Sequence, residues 1–468
     1  MANKSKLHVV MLPWVAFGHI IPFLELSKFI AQKGHNITFI STPKNIERLP
    51  KIPPNIASSI TLVKIPLPKV DGLPENAEAT MDISNDQMPF LKKAYDDLEP
   101  ELTRFLSKSS IPPDWIIHDF ASHWIQPVAA KLGISKSFFC IISAWSIGFL
   151  GPSNMLIDGT DPRTKVEDFT IPPDWVTFET KVAYKIHEIH CVLEAVTKNI
   201  SGASDTYRIG MVTKGSDVIL VRHCNEFEGE WLKLLNDIYP STVMPLGLMP
   251  PQEDNSNNET WFSIQEWLDG QKTGSILYVA LGSEVSPSQA EISELALGLE
   301  LSMVPFFWVL RKPPGSSDSD SIQVPHRFEE RIKGRGIVWK DWAPQSKILR
   351  HESVGGFLTH CGWGSTIEGL MFGHPLVMLP FLVDQGLNAR VLEDKQVGIE
   401  VPRNLQDGSY TRNSVAESVR MVMVEDNGKK FRDNAKKMSA VFGDKELHDG
   451  YIHRFIEYLE NHQHKSNN

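Results

Sequence analysis

LHVVMLPWVAFGHIIPFLELSKFIAQKGHNITFIS, residues 7–41, holds an apolar run, a loop, a helical pattern and a second apolar run, in that order. The first run, LHVVML, stops at Pro13. PWVAFG follows as a loop. His19 then opens a pattern in which Ile20, Phe23, Leu24, Leu26 and Ile30 recur at helical spacing. HNITFIS, residues 35–41, reads as the next strand.

The alternation continues outward from this unit. TLVKIP, DWIIHDF (114–120), KSFFCII and DVILVRH (217–223) read as later strands, with helical patterns between several of them, as at 89–106 and 122–132. Continuous apolar strands alternating with helices predict a parallel sheet covered on both faces. PPQEDNSNNET, residues 250–260, breaks the pattern and reads as a linker. SILYVALGS (275–283), a helix over 287–301, FFWVLR, GIVWKDW, GGFLTHCG and PLVMLP restart it, interrupted by low-complexity KPPGSSDSDSI at 312–322. The expected fold is α/β: two doubly wound Rossmann-like domains facing a cleft. Their bounds are 1–248 and 261–447, joined by 249–260, with a C-terminal helix in 448–468 that packs back on the first domain. Ligands of such domains sit at the carboxyl ends of the strands.

A chain of 468 residues suits two or three domains, and 41% hydrophobic with 22% charged residues suits a globular core. A net charge of −10 offers no basic face for nucleic acid. Cys140, Cys191, Cys224 and Cys361 stand far apart with no CxxC pair, which speaks against a zinc site or disulfide framework. No stretch reaches the roughly 20 apolar residues of a membrane span, and the basic start lacks a signal-length apolar run. The expected setting is the cytoplasm, and the expected state is a monomer.

The fold fixes no chemistry. Gly362, Gly364 and Gly369 do not make a GxGxxG, no Walker sequence occurs, and the dinucleotide fingerprint is missing after the first strand, which disfavours a nicotinamide oxidoreductase. The chemistry is carried by residues 342–385, WAPQSKILRHESVGGFLTHCGWGSTIEGLMFGHPLVMLPFLVDQ. Trp342 can stack on a base, worth about 1–3 kcal/mol, or be a core residue. THCGWGS stands where an apolar strand gives way to a helix beginning near Ser365, and a helix N-terminus suits a diphosphate. His360 and Ser365 add donors there, while Gly362 and Gly364 allow close backbone approach. Glu368 can accept ribose hydroxyls or serve as a capping carboxylate. Asp384 and Gln385 can bond sugar hydroxyls.

Over its whole length this stretch resembles the signature box of plant secondary-product UDP-dependent glycosyltransferases. LPWVAFGHIIP, VALGS and LNARVLEDKQVGIE extend the likeness to nearly the whole chain. It is most similar to the branch that extends sugars already attached to a small molecule. The resemblance implies the two-Rossmann arrangement called GT-B, no bound cofactor or metal, and a UDP-sugar as co-substrate. It implies that the Ala343 backbone meets uracil, that Gln345 meets ribose, and that Ser283 meets the β-phosphate; Gly18 belongs to the same donor-binding set. Trp363 and Gln385 go with glucose. The family usually has Asn where this sequence has Gly364, so backbone or water must supply the missing amide.

His19 stands where the first loop becomes a helix, and an imidazole of pKa about 6.5 suits removal of an acceptor proton, although a helix cap is the plainer alternative. Asp119 ends DWIIHDF and matches the family's partner aspartate; His118 beside it reads as structural. Attack opposite the leaving diphosphate inverts the anomeric centre. The expected reaction is transfer of glucose to a hydroxyl of a small plant metabolite, a sugar hydroxyl of a terpenoid or flavonoid glycoside, with UDP-rhamnose as the rival donor. A non-catalytic UDP-sugar sensor is the reading from another class, and the presence of both His19 and Asp119 speaks against it. Among Trp14, Phe120, Trp124, Trp145 and Phe149, an apolar acceptor pocket is expected at Phe120 and Trp145, with Ser143. Asp318 and Asp320 form a DxD in a Ser/Gly-rich loop, and His187 with His190 have helical spacing without a second pair; neither is read as a metal site.

Overall fold

The computed structural model describes residues 6–251, 259–312, 315, 323–382 and 384–462. Two parallel sheets organise them. The first comprises β1 (His8–Leu12), β2 (Asn36–Ser41), β3 (Ile60–Lys64), β4 (Trp115–His118), β5 (Ser135–Cys140), β6 (Val218–Val221) and β7 (Thr242–Pro245), in spatial order β3-β2-β1-β4-β5-β6-β7. The second comprises β8 (Ile276–Ala280), β9 (Phe306–Val309), β10 (Gly336–Trp339), β11 (Val354–Thr359), β12 (Leu376–Met378) and β13 (Gly398–Glu400), in order β10-β9-β8-β11-β12-β13. Every pairing between these strands is parallel. The strands are short, and the inner ones are almost wholly buried because helices cover both faces, while the edge strands β3, β7 and β10 are partly exposed.

Each sheet reverses its strand order once, between β1 and β4 and between β8 and β11. Leu12 pairs with His118 across the first reversal and Ala280 with Thr359 across the second. The loops leaving paired strands there diverge to opposite faces, and the crevice between them is where open α/β sheets bind ligands.

The helical pattern at 89–106 resolves into two helices, Met88–Asp96 and Glu99–Ser107. Pro100 causes the break: its ring would strike the carbonyl of residue 96 in one continuous helix, and it has no N–H to return. The helix expected to begin near Ser365 begins two residues earlier, as Trp363–Met371. Residues 252–258 of the linker, and Asp318 and Asp320, lie outside the described residues.

The helix Lys445–Asn461 crosses back to the first sheet. Its Ile452, Phe455, Ile456 and Leu459 share one apolar cluster with Val9, Met11, Phe23 and Ile30. Trp115 Nε1 donates to the Leu459 carbonyl at 3.2 Å. Among the described residues, no helix is long and apolar enough to cross a membrane, and no group of three or more His, Cys, Asp and Glu side chains is placed to hold a metal ion.

Candidate active site

The two strand-order reversals supply the site's two halves. After β1, the chain turns at Ala16 into the helix Phe17–Gln32, so His19 lies in its first turn and exposed Gly18 precedes it with open space above. After β4 comes Asp119. Pairing of β1 with β4 brings these two together across 100 positions of sequence: His19 Nδ1 lies 2.8 Å from Asp119 Oδ2. That carboxylate oxygen also accepts from the Trp14 backbone N–H at 3.0 Å, and Oδ1 accepts from the Phe120 N–H at 2.7 Å. Asp119 is therefore pinned as an acceptor, Nδ1 carries the proton, and Nε2 is left as the basic atom. The His19 side chain is 18% exposed, Asp119 2%. Burial opposes charge on the ring, but Asp119 outweighs it, with help from Glu284 and Asp384, and the His19 pKa stands above its ordinary value. Phe120 flanks the base, its ring centroid 5.7 Å from that of His19.

Neighbouring His118 has a different role. Buried between Ser216 Oγ and the Asp119 carbonyl, both at 3.1 Å, it is pushed down to about 4 by burial and stays neutral.

In the second half, β11 runs into a tight turn before the helix Trp363–Met371. Cys361 takes φ +66°, a left-handed value unusual outside glycine, and stores strain at the turn. His360 lies between Gly282 and Gly362: a Cβ at either would come within 2.7 or 2.4 Å of its Nε2. Only glycine admits the ring there. His360 is pushed down to about 4 by burial, and its Nδ1 is buried without a partner. Gln345 Nε2 donates to Ser365 Oγ at 3.2 Å. Burial pushes the Glu368 carboxyl up to about 7, against hydrogen bonding from Gln345 and the Arg222 charge. Glu368 is the sixth residue of its helix, past the first turn, so it does not cap it. Trp342 is 57% exposed, which removes the core reading and leaves a flat face free, next to buried Ala343. Ser283 follows Gly282 in the loop after β8.

Trp363 gives the turn its backbone; its indole is buried, stacked on Phe227 and edge-to-face with Trp145, and donates to the Arg222 carbonyl at 2.8 Å. Ser143 and Trp145 stand differently from the expected acceptor pocket. Both are fully buried and so have no surface to offer an acceptor. Their hydroxyl and indole N–H donate instead to Asn388 Oδ1, at 2.9 and 2.7 Å. Asn388 Nδ2 donates in turn to the Cys361 carbonyl at 2.9 Å and to Asp384 Oδ2 at 3.1 Å. This buried amide ties the first domain, the turn and Asp384 together.

Burial pushes the Asp384 carboxyl up to about 6, opposed by Asn388 and His19 and reinforced by Glu284. His19 and Asp384 are close enough for each charge to act on the other's pKa. Gln385 Oε1 accepts from the Phe381 and Leu382 N–H groups, each at 2.9 Å, which fixes the amide's orientation. Glu284 joins the wall by accepting from Thr80 Oγ1 of the first domain at 3.0 Å.

Sequence reasoning missed Asn388, Glu284 and Arg222. Asn388 was findable, lying four residues after Asp384 on one helix face. Glu284 and Arg222 gave only a position, just past a strand's carboxyl end.

A family profile described as "UDP-glucoronosyl and UDP-glucosyl transferase" matches residues 213–464. The chain is 51% identical to UDP-glycosyltransferase 91D1 of Stevia rebaudiana, over 98% of this chain and 93% of that relative. The chain belongs to the plant UDP-glycosyltransferase family. It is also 43% identical to soyasaponin III rhamnosyltransferase of Glycine max, over 98% of this chain and 96% of the relative. The crystal structure of TcCGT1 in complex with UDP matches with a TM-score of 0.75 at 25% identity, covering 98% of this chain and 100% of that one. This UDP-glycosyltransferase thus has the GT-B fold, and a UDP-sugar is its co-substrate.

Proposed function

We propose that this UDP-glycosyltransferase moves glucose from UDP-glucose to a sugar hydroxyl of an existing plant glycoside, with inversion. The observation that carries the reading is His19, hydrogen-bonded through Nδ1 to buried Asp119 at the strand-order reversal of the first sheet, with Asp384 among the charges that raise its pKa. The acceptor hydroxyl gives its proton to Nε2 as its oxygen bonds the anomeric carbon. The bond from that carbon to the diphosphate oxygen breaks, and UDP departs with the electron pair. The positive end of the helix Trp363–Met371 meets the charge that develops on it. Trp342 and Ala343 hold uracil, Gln345 and Glu368 the ribose, and Gly18, Ser283, His360, Gly364 and Ser365 surround the phosphates. Asp384 and Gln385 bond the sugar hydroxyls, while Phe120 forms one acceptor wall. Two orienting bonds fix Gln385, and Asn388 holds Asp384, so hydroxyls are matched by fixed partners and discrimination should be sharp.

UDP-rhamnose is the second reading, favoured by the likeness to a rhamnosyltransferase. Rhamnose lacks the 6-hydroxyl and has opposite handedness. Mass spectrometry of glycoside and aglycone panels with UDP-glucose, UDP-rhamnose, UDP-galactose and UDP-xylose tests both. UDP-glucose on a glycoside is expected to give the highest kcat/KM. A higher value for UDP-rhamnose on the best acceptor overturns the glucose assignment.

A further inference from the structure

Arg222 follows β6 in the first domain and is only 8% exposed. Its Nε donates to the Leu248 carbonyl at 2.8 Å and its Nη2 to the Met249 carbonyl at 3.1 Å. Its own carbonyl accepts from Trp363 Nε1. Backbone and guanidinium are thus held from both domains, and the direction of Nη1 is determined. Nη1 makes no hydrogen bond among the described residues, and it reaches the helix Trp363–Met371 at Gly364: a Cβ placed there would lie 3.4 Å from it. A side chain extending beyond Cβ at 364 would compete with Nη1 for that space, and glycine leaves it clear.

This arrangement is electrostatically incomplete. A buried guanidinium is aimed at the positive end of a helix, where a cation is unfavourable unless an anion lies between them. Burial lowers the Arg222 pKa to about 10, and Glu368 is the main charge opposing that shift. Glu368 is itself pushed up to about 7 and is a weak counterion at neutral pH. In the same turn, His360 Nδ1 is buried without a partner. An unbonded guanidinium nitrogen at Gly364, a buried unpartnered imidazole nitrogen on His360 and a helix N-terminus thus belong to one turn, and the component that would complete them is anionic with several acceptor oxygens. The diphosphate of a UDP-sugar has that chemistry.

We propose that Arg222 is a donor-binding residue, whose Nη1 reaches from the first domain across Gly364 to the diphosphate of the UDP-sugar. This rests on the transferase reading above and adds a contact from the opposite domain. UDP then bridges the two domains, and its release frees the arginine.

Calorimetric titration of the full chain with UDP and with uridine tests this. Arg222→Gln should weaken UDP binding at least about tenfold and leave uridine binding within about threefold, because uridine has no phosphate for Nη1. Arg222→Lys keeps a cation but cannot hold both carbonyls, so it should retain more of the preference for UDP while losing thermal stability. An arginine that serves only the fold gives the opposite pattern: both variants lose stability, and the UDP-to-uridine ratio stays at the wild-type value. A crystal structure of the wild-type chain with UDP reads the contact without any substitution. Nη1 is expected within hydrogen-bond distance of a phosphate oxygen, about 3.2 Å or less; a guanidinium turned away from the phosphates overturns the proposal. A wild-type chain that binds no UDP sinks the transferase reading as well, whereas UDP binding with an unchanged ratio in Arg222→Gln sinks only the arginine.

Discussion

His19 accepts a proton only while its ring is neutral. Its pKa is raised above the ordinary histidine value, so the rate should fall on the acid side with a limb above about pH 6.5. The sign follows from the balance at the ring. Burial alone would lower the pKa, and Asp119 reverses it. Asp119→Asn removes that charge, so burial dominates and the limb moves to lower pH, at a lower maximum because the ring is less firmly oriented. His19→Ala should cost about 10²–10⁴ in kcat while UDP still binds, since the nucleotide turn lies on the other sheet. Profiles of kcat/KM against pH for the wild type and Asp119→Asn check this; a limb that stays put in the variant removes Asp119 from the proton's control. Both residues were visible in the sequence by position, at the ends of apolar strands, but the 2.8 Å bond between them needed the parallel neighbours β1 and β4.

The helix Gln385–Asp394 shows what periodicity can and cannot say. Its pattern makes Asp384 and Asn388 neighbours one turn apart. It does not reveal that Asn388 is fully buried with both amide atoms doubly bonded, to Ser143 and Trp145 on one side and to Cys361 and Asp384 on the other. Asn388→Ala leaves the Trp145 N–H and the Ser143 hydroxyl without that acceptor, at about 1–3 kcal/mol for each group left unpaired. It also releases Asp384. Turnover should drop about 10–100-fold and UDP affinity should fall less, because Asn388 orients the Asp384 carboxylate directly but meets the 359–365 turn only at the Cys361 carbonyl. Steady-state kinetics beside UDP titration separates the two. A loss confined to UDP affinity would contradict the positioning role. The same burial explains why Trp145 was misread: an aromatic just past a strand end looks like a pocket wall until a second domain covers it.

The chain closes on itself through its last helix. Phe455, far along the sequence, is fully buried against β1 and the helix that carries His19. Phe455→Ala should destabilise the first domain by about 3–5 kcal/mol, through lost burial and the cavity left behind. Denaturant unfolding followed by tryptophan fluorescence measures it, and a change under about 1 kcal/mol would show the helix to be a loose appendage. Ion pairs join the domains elsewhere: Arg390 donates to Glu188 of the first domain at 2.7 Å and to Glu400 of its own at 2.6 Å. Apolar runs alternating with helical patterns were enough to predict two parallel sheets, because side-chain period and run length are local properties of the chain. The tight strand-to-helix turn at 359–365 and the positions of His19 and Asp119 were legible for the same reason, as residues placed relative to their own strands. The Asn388 hub, the reach of Arg222 over Gly364, the contact of Thr80 with Glu284 and the burial of Trp145 were not legible. Each joins groups from different sheets, and their meeting depends on how two separately built domains pack, which no periodicity in a single segment encodes.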